Sequence, residues 1–172
     1  MARRAANTDM ISSDTIREVR KIRSLTKRAD RLAESAHAGQ VRRGTDGQPY
    51  IEHCRRVARA ALDVFKSAHL HALGLNPHDV AAAALLHDAV EDAGVLPVHL
   101  LQAGISSVAV DWVHVLTRPK VEPYDDYIRR ILNASTAVKL IKICDIVDNL
   151  ADEPSNAQVE KYRRALVTLC GI

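Results

Sequence analysis

The chain has 172 residues, a formal net charge of +3, and 47% hydrophobic against 26% charged residues. This length and balance are typical of one globular domain and exclude a disordered chain, and the small net charge argues against nucleic acid as a partner. Aromatic residues make up only 3% of the chain. Ala, Leu, Val and Ile must therefore build the core, which favours packed helices over sheets and predicts an all-α fold.

The cysteines and the N-terminus restrict the class of protein further. The three cysteines, Cys54, Cys144 and Cys170, are odd in number and form no C-x-x-C pair, so neither a disulfide framework nor a zinc ribbon is indicated. No apolar run reaches the roughly 18 residues of a membrane span, and no apolar segment follows the basic N-terminus as in a signal peptide. We therefore expect a cytoplasmic protein with a flexible basic tail, residues 1–12, and one domain, residues 13–172.

Helical periodicity and turn residues predict the elements in chain order. An amphipathic pattern over residues 13–38 precedes a polar loop, residues 39–48, which contains three glycines. Further helices are predicted over residues 49–73, 77–93, 97–103, 106–116, 123–133, 135–152 and 156–169. Asn76 and Ser135 are predicted helix caps. The β-branched segment 108–116 could be mistaken for a strand, but we interpret it as helical.

The segment "LLHDAVED", residues 85–92, places His87, Asp88, Glu91 and Asp92 directly after an apolar run. On a helix with about 100° per residue, these four side chains point to one side. Three carboxylates this close repel one another, and burying them unpaired would cost on the order of several kcal/mol. A divalent metal compensates best, because one ion takes a His nitrogen and a carboxylate oxygen together. A solvated helix face is the alternative, although "AAAALL" upstream argues against full exposure.

A metal needs further ligands, and the sequence offers two candidates. His53 lies one turn past Pro49, and Asp145 lies between apolar neighbours, where an unpaired carboxylate would be anomalous. The resulting set has two histidines and two carboxylates: His53, His87, Asp88 and Asp145. Such mixed ligands suit Mn, Fe or Zn more than Ca or Mg. Taken singly, His53 would more often be a surface or satisfied core histidine, and Asp145 would more often pair with Lys139, Lys142 or an arginine.

Three segments together resemble a known family. "AHAGQVRRGTDGQPYIEH", "AALLHDAVEDAG" and "VKLIKICDIVDNL" resemble, in order, segments of the hydrolase domain of the RelA/SpoT family and of its stand-alone small hydrolases. These proteins are HD-domain metal-dependent phosphohydrolases. The resemblance covers about residues 30 to 155 and implies an all-α fold of the HD-domain helical-bundle type.

The resemblance also implies an activity and roles for single residues. It implies that His53, His87, Asp88 and Asp145 hold one divalent metal, typically Mn²⁺, and that Glu91 and Asp92 act on the attacking water. It implies that Asn149 and the loop residues Arg42 and Arg43 help to hold a nucleotide. Lys142 is a further candidate to neutralise phosphate charge. The implied reaction removes the 3′-pyrophosphate from the guanosine alarmone (p)ppGpp and makes a small-molecule nucleotide the expected partner.

The departures from the family pattern lie near the expected substrate. The family usually continues EDTxxT, where this chain has "EDAGVLP", and it usually has an arginine where Ala151 stands, followed here by Asp152. The loop between the arginine pair and "PY" is longer than usual. Two alternatives therefore stay open: hydrolysis of another nucleotide or nucleoside phosphate, and a non-catalytic HD module that binds a nucleotide or a protein. The sequence also leaves a homo-oligomer open.

Overall fold

The computed structural model of the protein describes the backbone of residues 13–171 and the side chains of residues 24–171. Within these residues the α-helices are α1 (Ser13–Ala36), α2 (Ile51–Ser67), α3 (Pro77–Leu86), α4 (Pro97–Gln102), α5 (Ser107–Leu116), α6 (Tyr124–Leu132), α7 (Thr136–Ala151) and α8 (Asn156–Cys170). A 3₁₀ helix, Leu70–Leu73, follows α2. The all-α prediction is thus confirmed for the described part of the chain. The predicted tail, residues 1–12, lies outside the described residues.

The alanine-rich helix α3 occupies the centre of the bundle. It packs against α1, α2, α5 and α7, and Ala82, Ala83 and Ala84 are fully buried. Alanine side chains are short, so the surrounding helices can approach α3 closely. This packing brings the C-terminal end of α3 beside α2 and α7, where the chemically interesting side chains lie. No helix among residues 13–171 is long and apolar enough to cross a membrane.

Local sequence signals located several helix starts correctly. The side chain of Asn76 accepts a hydrogen bond from the backbone N–H of His78, and Ser135 accepts one from that of Val138. Both residues therefore cap their helices as predicted, because each satisfies an N–H group that has no intrahelical partner. Residues 108–116, the segment with strand-like composition, lie within helix α5.

The predicted end of α3 was wrong. Regular helix stops at Leu86, not at about Ala93, and His87 is its C-cap. The backbone N–H of Ala89 bonds to the carbonyl of Leu86 at 3.0 Å, which tightens the chain into successive turns. These turns end at Gly94, whose φ of 67° is a conformation that glycine adopts without strain. The four ionisable residues 87–92 therefore do not lie on one regular helix, and the angles predicted for them do not apply.

The second predicted helix is also shorter than expected. Helix α2 begins at Ile51, with Tyr50 as its N-cap, and ends at Ser67. The loop before it is tied across by backbone hydrogen bonds, from the N–H of Arg42 to the carbonyl of Gln48 and from the N–H of Tyr50 to that of Gln40, both at 2.9 Å. This pairing folds residues 40–50 back on themselves at the N-terminus of α2.

Candidate metal centre

Three elements bring the predicted metal ligands to one place. His53 lies on the first turn of α2, His87 and Asp88 follow the last residue of α3, and Asp145 lies in the middle of α7. Both histidines and Asp145 are buried, with at most 4% of their surface exposed. Residues that are far apart in the chain thus form one compact polar cluster inside an apolar bundle.

The two histidines turn the same ring nitrogen towards the cluster. The Nε2 atom of His53 lies 3.3 Å from Oδ1 of Asp145 and 3.5 Å from Oδ2 of Asp88. The Nε2 atom of His87 lies 3.1 Å from Oδ2 of Asp88 and 3.6 Å from Oδ1 of Asp145. Neither Nε2 atom makes a hydrogen bond, although both are buried. Buried polar atoms without a partner are rare, so these two nitrogens call for an explanation.

The other nitrogen of each ring is held by an acceptor. The Nδ1 atom of His87 lies 2.7 Å from the carbonyl oxygen of Ala84, and that of His53 lies 2.7 Å from Oδ2 of Asp148. Carbonyl and carboxylate oxygens only accept, so each Nδ1 must carry the hydrogen. In a neutral ring, Nε2 then has a free lone pair, which is the form in which histidine binds a metal.

Asp145 is anchored by two neighbours on its own helix. Its Oδ2 accepts a hydrogen bond from Nζ of Lys142 at 2.7 Å, and its Oδ1 accepts one from Nδ2 of Asn149 at 2.6 Å. Burial alone would raise the pKa of Asp145, but Lys142 and the two histidines outweigh burial and hold it well below its usual range. Asp145 therefore pairs with Lys142, as the simpler interpretation of its sequence position allowed, and also reaches the histidines.

The donor set fits a divalent metal. One ligand atom from each of His53, His87 and Asp88 lies within 4.8 Å of the others, and Asp145 adds an oxygen 3.3 Å and 3.6 Å from the two imidazoles. An ion among these atoms would give the free Nε2 lone pairs a partner and would reduce the repulsion between the carboxylates. This His/Asp cluster could therefore bind a divalent metal.

Protons occupy the same positions when no metal is bound. Burial alone lowers the pKa of His53, but the carboxylates of Asp145, Asp148 and Asp88 outweigh it and raise the pKa to about 9. The pKa of His87 is likewise raised despite burial, chiefly by Asp88 and Asp145. At neutral pH the metal-free cluster therefore holds imidazolium rings against carboxylates, and a metal must displace protons from them.

The acidic pair Glu91 and Asp92 points in two directions. The carboxylate of Glu91 accepts a hydrogen bond at 2.9 Å from the backbone N–H of Arg118, between α5 and α6. The single hydroxyl hydrogen of Tyr50 is shared between Oδ2 of Asp88 at 2.8 Å and Oδ2 of Asp92 at 3.2 Å. Burial and the neighbouring Asp88 raise the pKa of Asp92. Of the two predicted catalytic residues, Asp92 is thus the one whose carboxylate is linked to the cluster, through the hydroxyl of Tyr50.

A cavity of about 690 Å³ is lined by Tyr50 and Asn149, which bond to Asp88 and Asp145, but not by the four proposed ligands themselves. It lies between the loop before α2 and the segment that joins α7 to α8, and Arg42, Arg43, Asp92 and Asn149 line it. Its size is within the range of small-molecule sites. Lys142, which was also predicted to bind substrate, is not among the lining residues; its ammonium group is held by Asp145 and lies 5.0 Å from the ring centre of Tyr127.

The guanidinium group of Arg42 is already engaged within the protein. Its Nε donates to Oδ2 of Asp152 at 2.6 Å, and its NH2 group donates to Oδ1 of Asn149 at 2.7 Å. The group also lies 5.4 Å from the ring centre of Tyr50. Arg43, by contrast, is exposed at the cavity. The two arginines of the loop therefore differ, because only Arg43 offers its charge to a ligand without breaking a buried pair.

Sequence reasoning missed Tyr50, Arg56 and Asp148. Arg56 forms a two-point ion pair with Asp148, at 2.7 Å and 2.9 Å. The only sequence signal for Asp148 was its spacing of three residues from Asp145 on one helix, which places the two side chains on neighbouring faces. Tyr50 stood within the motif that ends in His53, but nothing local showed that its hydroxyl reaches two carboxylates.

Comparison with known proteins agrees with this geometry. The mouse protein named guanosine-3′,5′-bis(diphosphate) 3′-pyrophosphohydrolase MESH1 is 31% identical over 125 residues, which are 70% of this chain and 65% of the mouse protein. The Haemophilus influenzae protein named guanosine-3′,5′-bis(diphosphate) 3′-pyrophosphohydrolase is 33% identical over 147 residues, 80% of this chain and 20% of that protein. The chain resembles these pyrophosphohydrolases. No protein-family model matches it.

The fold is similar to that of a solved protein structure. A metazoan ortholog of SpoT, described as hydrolysing ppGpp, superposes with a TM-score of 0.65 at 23% identity over 86% of this chain and 82% of that one. The all-α HD-domain fold predicted from the motifs is thus confirmed. The chain spans slightly less than two thirds of the mouse relative and a fifth of the bacterial one.

Proposed function

We propose that the protein is a metal-dependent nucleotide phosphohydrolase that removes the 3′-pyrophosphate from guanosine 3′,5′-bis(diphosphate). The observation that carries the proposal is the pair of buried Nε2 atoms of His53 and His87, which have no hydrogen-bond partner and face the carboxylates of Asp88 and Asp145. Tyr50 and Asn149, which bond to these two carboxylates, line a cavity of nucleotide size. The substrate is proposed from the relatives, three of which carry the name of this pyrophosphohydrolase at 31–33% identity.

We propose His53, His87, Asp88 and Asp145 as the ligands of one metal, with Mn²⁺ as the native ion. A set of two imidazoles and two carboxylates suits Mn²⁺ better than it suits Ca²⁺ or Mg²⁺, which prefer ligands that are all oxygen. Bound there, the ion would supply Lewis-acid chemistry, since a divalent metal lowers the pKa of water and polarises a phosphoryl oxygen.

The chain's own side chains would then move the proton and hold the phosphates. Asp92 lines the cavity and has a raised pKa, which suits a carboxylate that accepts a proton from water near neutral pH. Tyr50 orients this carboxylate by its hydrogen bond. Glu91 is proposed as the second residue that acts on the attacking water. Its carboxylate is bound by the backbone N–H of Arg118. Arg43 is proposed to bind a phosphate group from the rim of the cavity.

The proposal is tested with purified protein, Mn²⁺ and a panel of nucleotides that includes guanosine 3′,5′-bis(diphosphate). We expect GDP and pyrophosphate as products. His87→Ala should lose both metal and activity, because each of the few ligands is needed to fix the geometry. Glu91→Gln and Asp92→Asn should keep the metal and lose about 10²–10⁴-fold in kcat. Full turnover in both of these variants would refute the acid–base roles.

Hydrolysis of a different nucleoside phosphate is a second candidate, favoured by one observation. Asp152 neutralises Arg42 at the cavity wall, which lowers the positive charge available for a highly phosphorylated ligand. The same panel separates the two candidates, since the preferred substrate is the one with the highest kcat/KM. Nucleotide binding without turnover of any member would indicate a non-catalytic module.

A further inference from the structure

We infer that Asp148 is a positioning residue for the metal ligand His53, because it fixes the Nδ1 hydrogen of that ring and so keeps the Nε2 lone pair on the metal side. The inference rests on the metal site proposed above but not on the identity of the nucleotide. Asp148 is not itself placed to reach the metal, since its carboxylate contacts the opposite edge of the imidazole.

Helix α7 presents one carboxylate to each nitrogen of His53. Asp145 and Asp148 are three residues apart, so their side chains differ by about 60° around the helix axis and face the same neighbour. Oδ1 of Asp145 lies 3.3 Å from Nε2, while Oδ2 of Asp148 lies 2.7 Å from Nδ1. The imidazole, whose side chain is fully buried, therefore lies between two carboxylates, and its hydrogen bond is the shorter contact, from Nδ1 to Asp148.

Arg56 holds the carboxylate of Asp148 in place. Its Nε donates to Oδ1 at 2.7 Å and its NH2 group donates to Oδ2 at 2.9 Å. Such a two-point pair fixes both the position and the ionised state of a carboxylate. An ionised Asp148 can only accept, so the hydrogen between it and His53 belongs to the ring. Because His53 and Arg56 are themselves three residues apart on α2, two helices supply all parts of this arrangement.

The second histidine differs in a way that makes the inference testable. The Nδ1 hydrogen of His87 is donated to the backbone carbonyl of Ala84, which no side-chain substitution removes. The orientation of His53 depends instead on one side chain. Replacing Asp148 should therefore loosen one imidazole and leave the other as it is, so that metal binding weakens without being abolished.

The test is calorimetric titration of the metal-free protein, residues 1–172, with Mn²⁺. Loss of a hydrogen-bond partner of a metal-bound histidine typically weakens metal binding about 10–100-fold. We expect Asp148→Asn, which keeps the shape of the side chain and one acceptor, to weaken Mn²⁺ binding about 10-fold. We expect Asp148→Leu to weaken it about 100-fold. Asp111→Asn, on the exposed face of α5, is the matched control and should bind Mn²⁺ like the parent protein.

A second variant and a second readout cover the case in which Asp148→Leu does not fold. Arg56→Gln leaves the carboxylate but removes its anchor, so it should weaken Mn²⁺ binding in the same direction and by less. Arg59→Gln, at an exposed position of the same helix, should leave Mn²⁺ binding unchanged. In the Zn²⁺-loaded parent protein, the Nδ1 hydrogen of His53 should give a slowly exchanging, downfield proton NMR signal that is lost in Asp148→Leu and shifted in Asp148→Asn.

The outcomes separate this inference from the metal site itself. A parent protein that binds no Mn²⁺ would overturn both. A parent protein that binds Mn²⁺, together with a folded Asp148→Asn variant whose affinity lies within twofold and whose Nδ1 signal is unchanged, would overturn the role of Asp148 alone. Weakening in the Asp148 and Arg56 variants, with both controls unchanged, would support it.

Discussion

Metal binding should depend steeply on pH, because protons and metal compete for the same two nitrogens. The pKa of His53 is raised to about 9, and that of His87 is raised as well. His53 is therefore protonated in the metal-free protein at pH 7, and the raised pKa of His87 favours its protonated form as well. A protonated ring must release a proton when its Nε2 takes a metal. The sign follows directly: lower pH favours the protons, so Mn²⁺ affinity should rise with pH.

The structure also sets the size of the effect. At pH 7, which is two pH units below the pKa of His53, protonation of this ring alone should lower the apparent affinity about 100-fold, or about 3 kcal/mol. The logarithm of the affinity should therefore rise by about one for each pH unit between pH 6 and 7.5 from His53 alone, and the raised pKa of His87 should make the rise steeper. Histidines with the ordinary pKa of about 6.5 would give a slope that falls towards zero above pH 7.

Calorimetric titration with Mn²⁺ between pH 6 and 7.5 measures this slope. Repeating each titration in two buffers of different ionisation enthalpy gives the number of protons released, which should be at least about one at pH 7, the proton of His53. His87→Ala cannot serve as the control, since it should lose the metal. The control is Asp111→Asn, which should follow the parent protein at every pH. A release of less than half a proton at pH 7 would refute the proposed competition.

Three further perturbations should change stability. The free energy of unfolding of the metal-free protein should fall by up to about 3 kcal/mol as the pH rises from about 6.5 through the raised pKa of His53. The reason is that the folded state then loses a proton that it binds more tightly than the unfolded chain does. Urea denaturation at several pH values measures this fall. Lys142→Met should destabilise the protein by about 3 kcal/mol in the same assay, since it removes the cation that bonds to the buried Asp145 at 2.7 Å and leaves only the histidines to balance that carboxylate; a loss below about 0.5 kcal/mol would contradict this. Gly44→Ala should cost at least about 1–2 kcal/mol and leave Mn²⁺ affinity unchanged, because φ is +74° and an added Cβ would lie 2.8 Å from the backbone oxygen of Asp152.

The fold could be predicted from the sequence wherever the signal was local. Asn76 and Ser135 cap helices because their side chains bond to N–H groups two or three residues away, and such contacts are visible in a short window. The end of α3 was missed because "HDAVEDA" continues a helical pattern. What ends the helix is the tighter bond between Ala89 and Leu86 and the left-handed Gly94, and Gly94 was the one available sign.

Only part of the candidate site could be predicted from the sequence. The proposed metal ligands could be chosen from the sequence because a buried His–Asp pair needs a compensating charge, and the structure does bring His53 and Asp145 to His87 and Asp88. The residues that orient them could not. Asp148 is 95 positions from His53 in the chain, and no local pattern distinguishes a carboxylate that supports a ligand from one that faces solvent.

The charge around the cavity links metal binding to nucleotide binding. Of the two loop arginines, Arg42 is buried and already neutralised by Asp152, so it adds little net positive charge for an incoming phosphate. Asp92 and Glu153, which also line the cavity, repel a polyanion. Arg43 alone cannot balance a nucleotide that carries two diphosphate groups. For the proposed nucleotide, the remaining positive charge would be supplied by the proposed metal. The ion that supplies the chemistry would then also make the cavity attractive to the substrate, and the metal-free protein should bind such a nucleotide poorly.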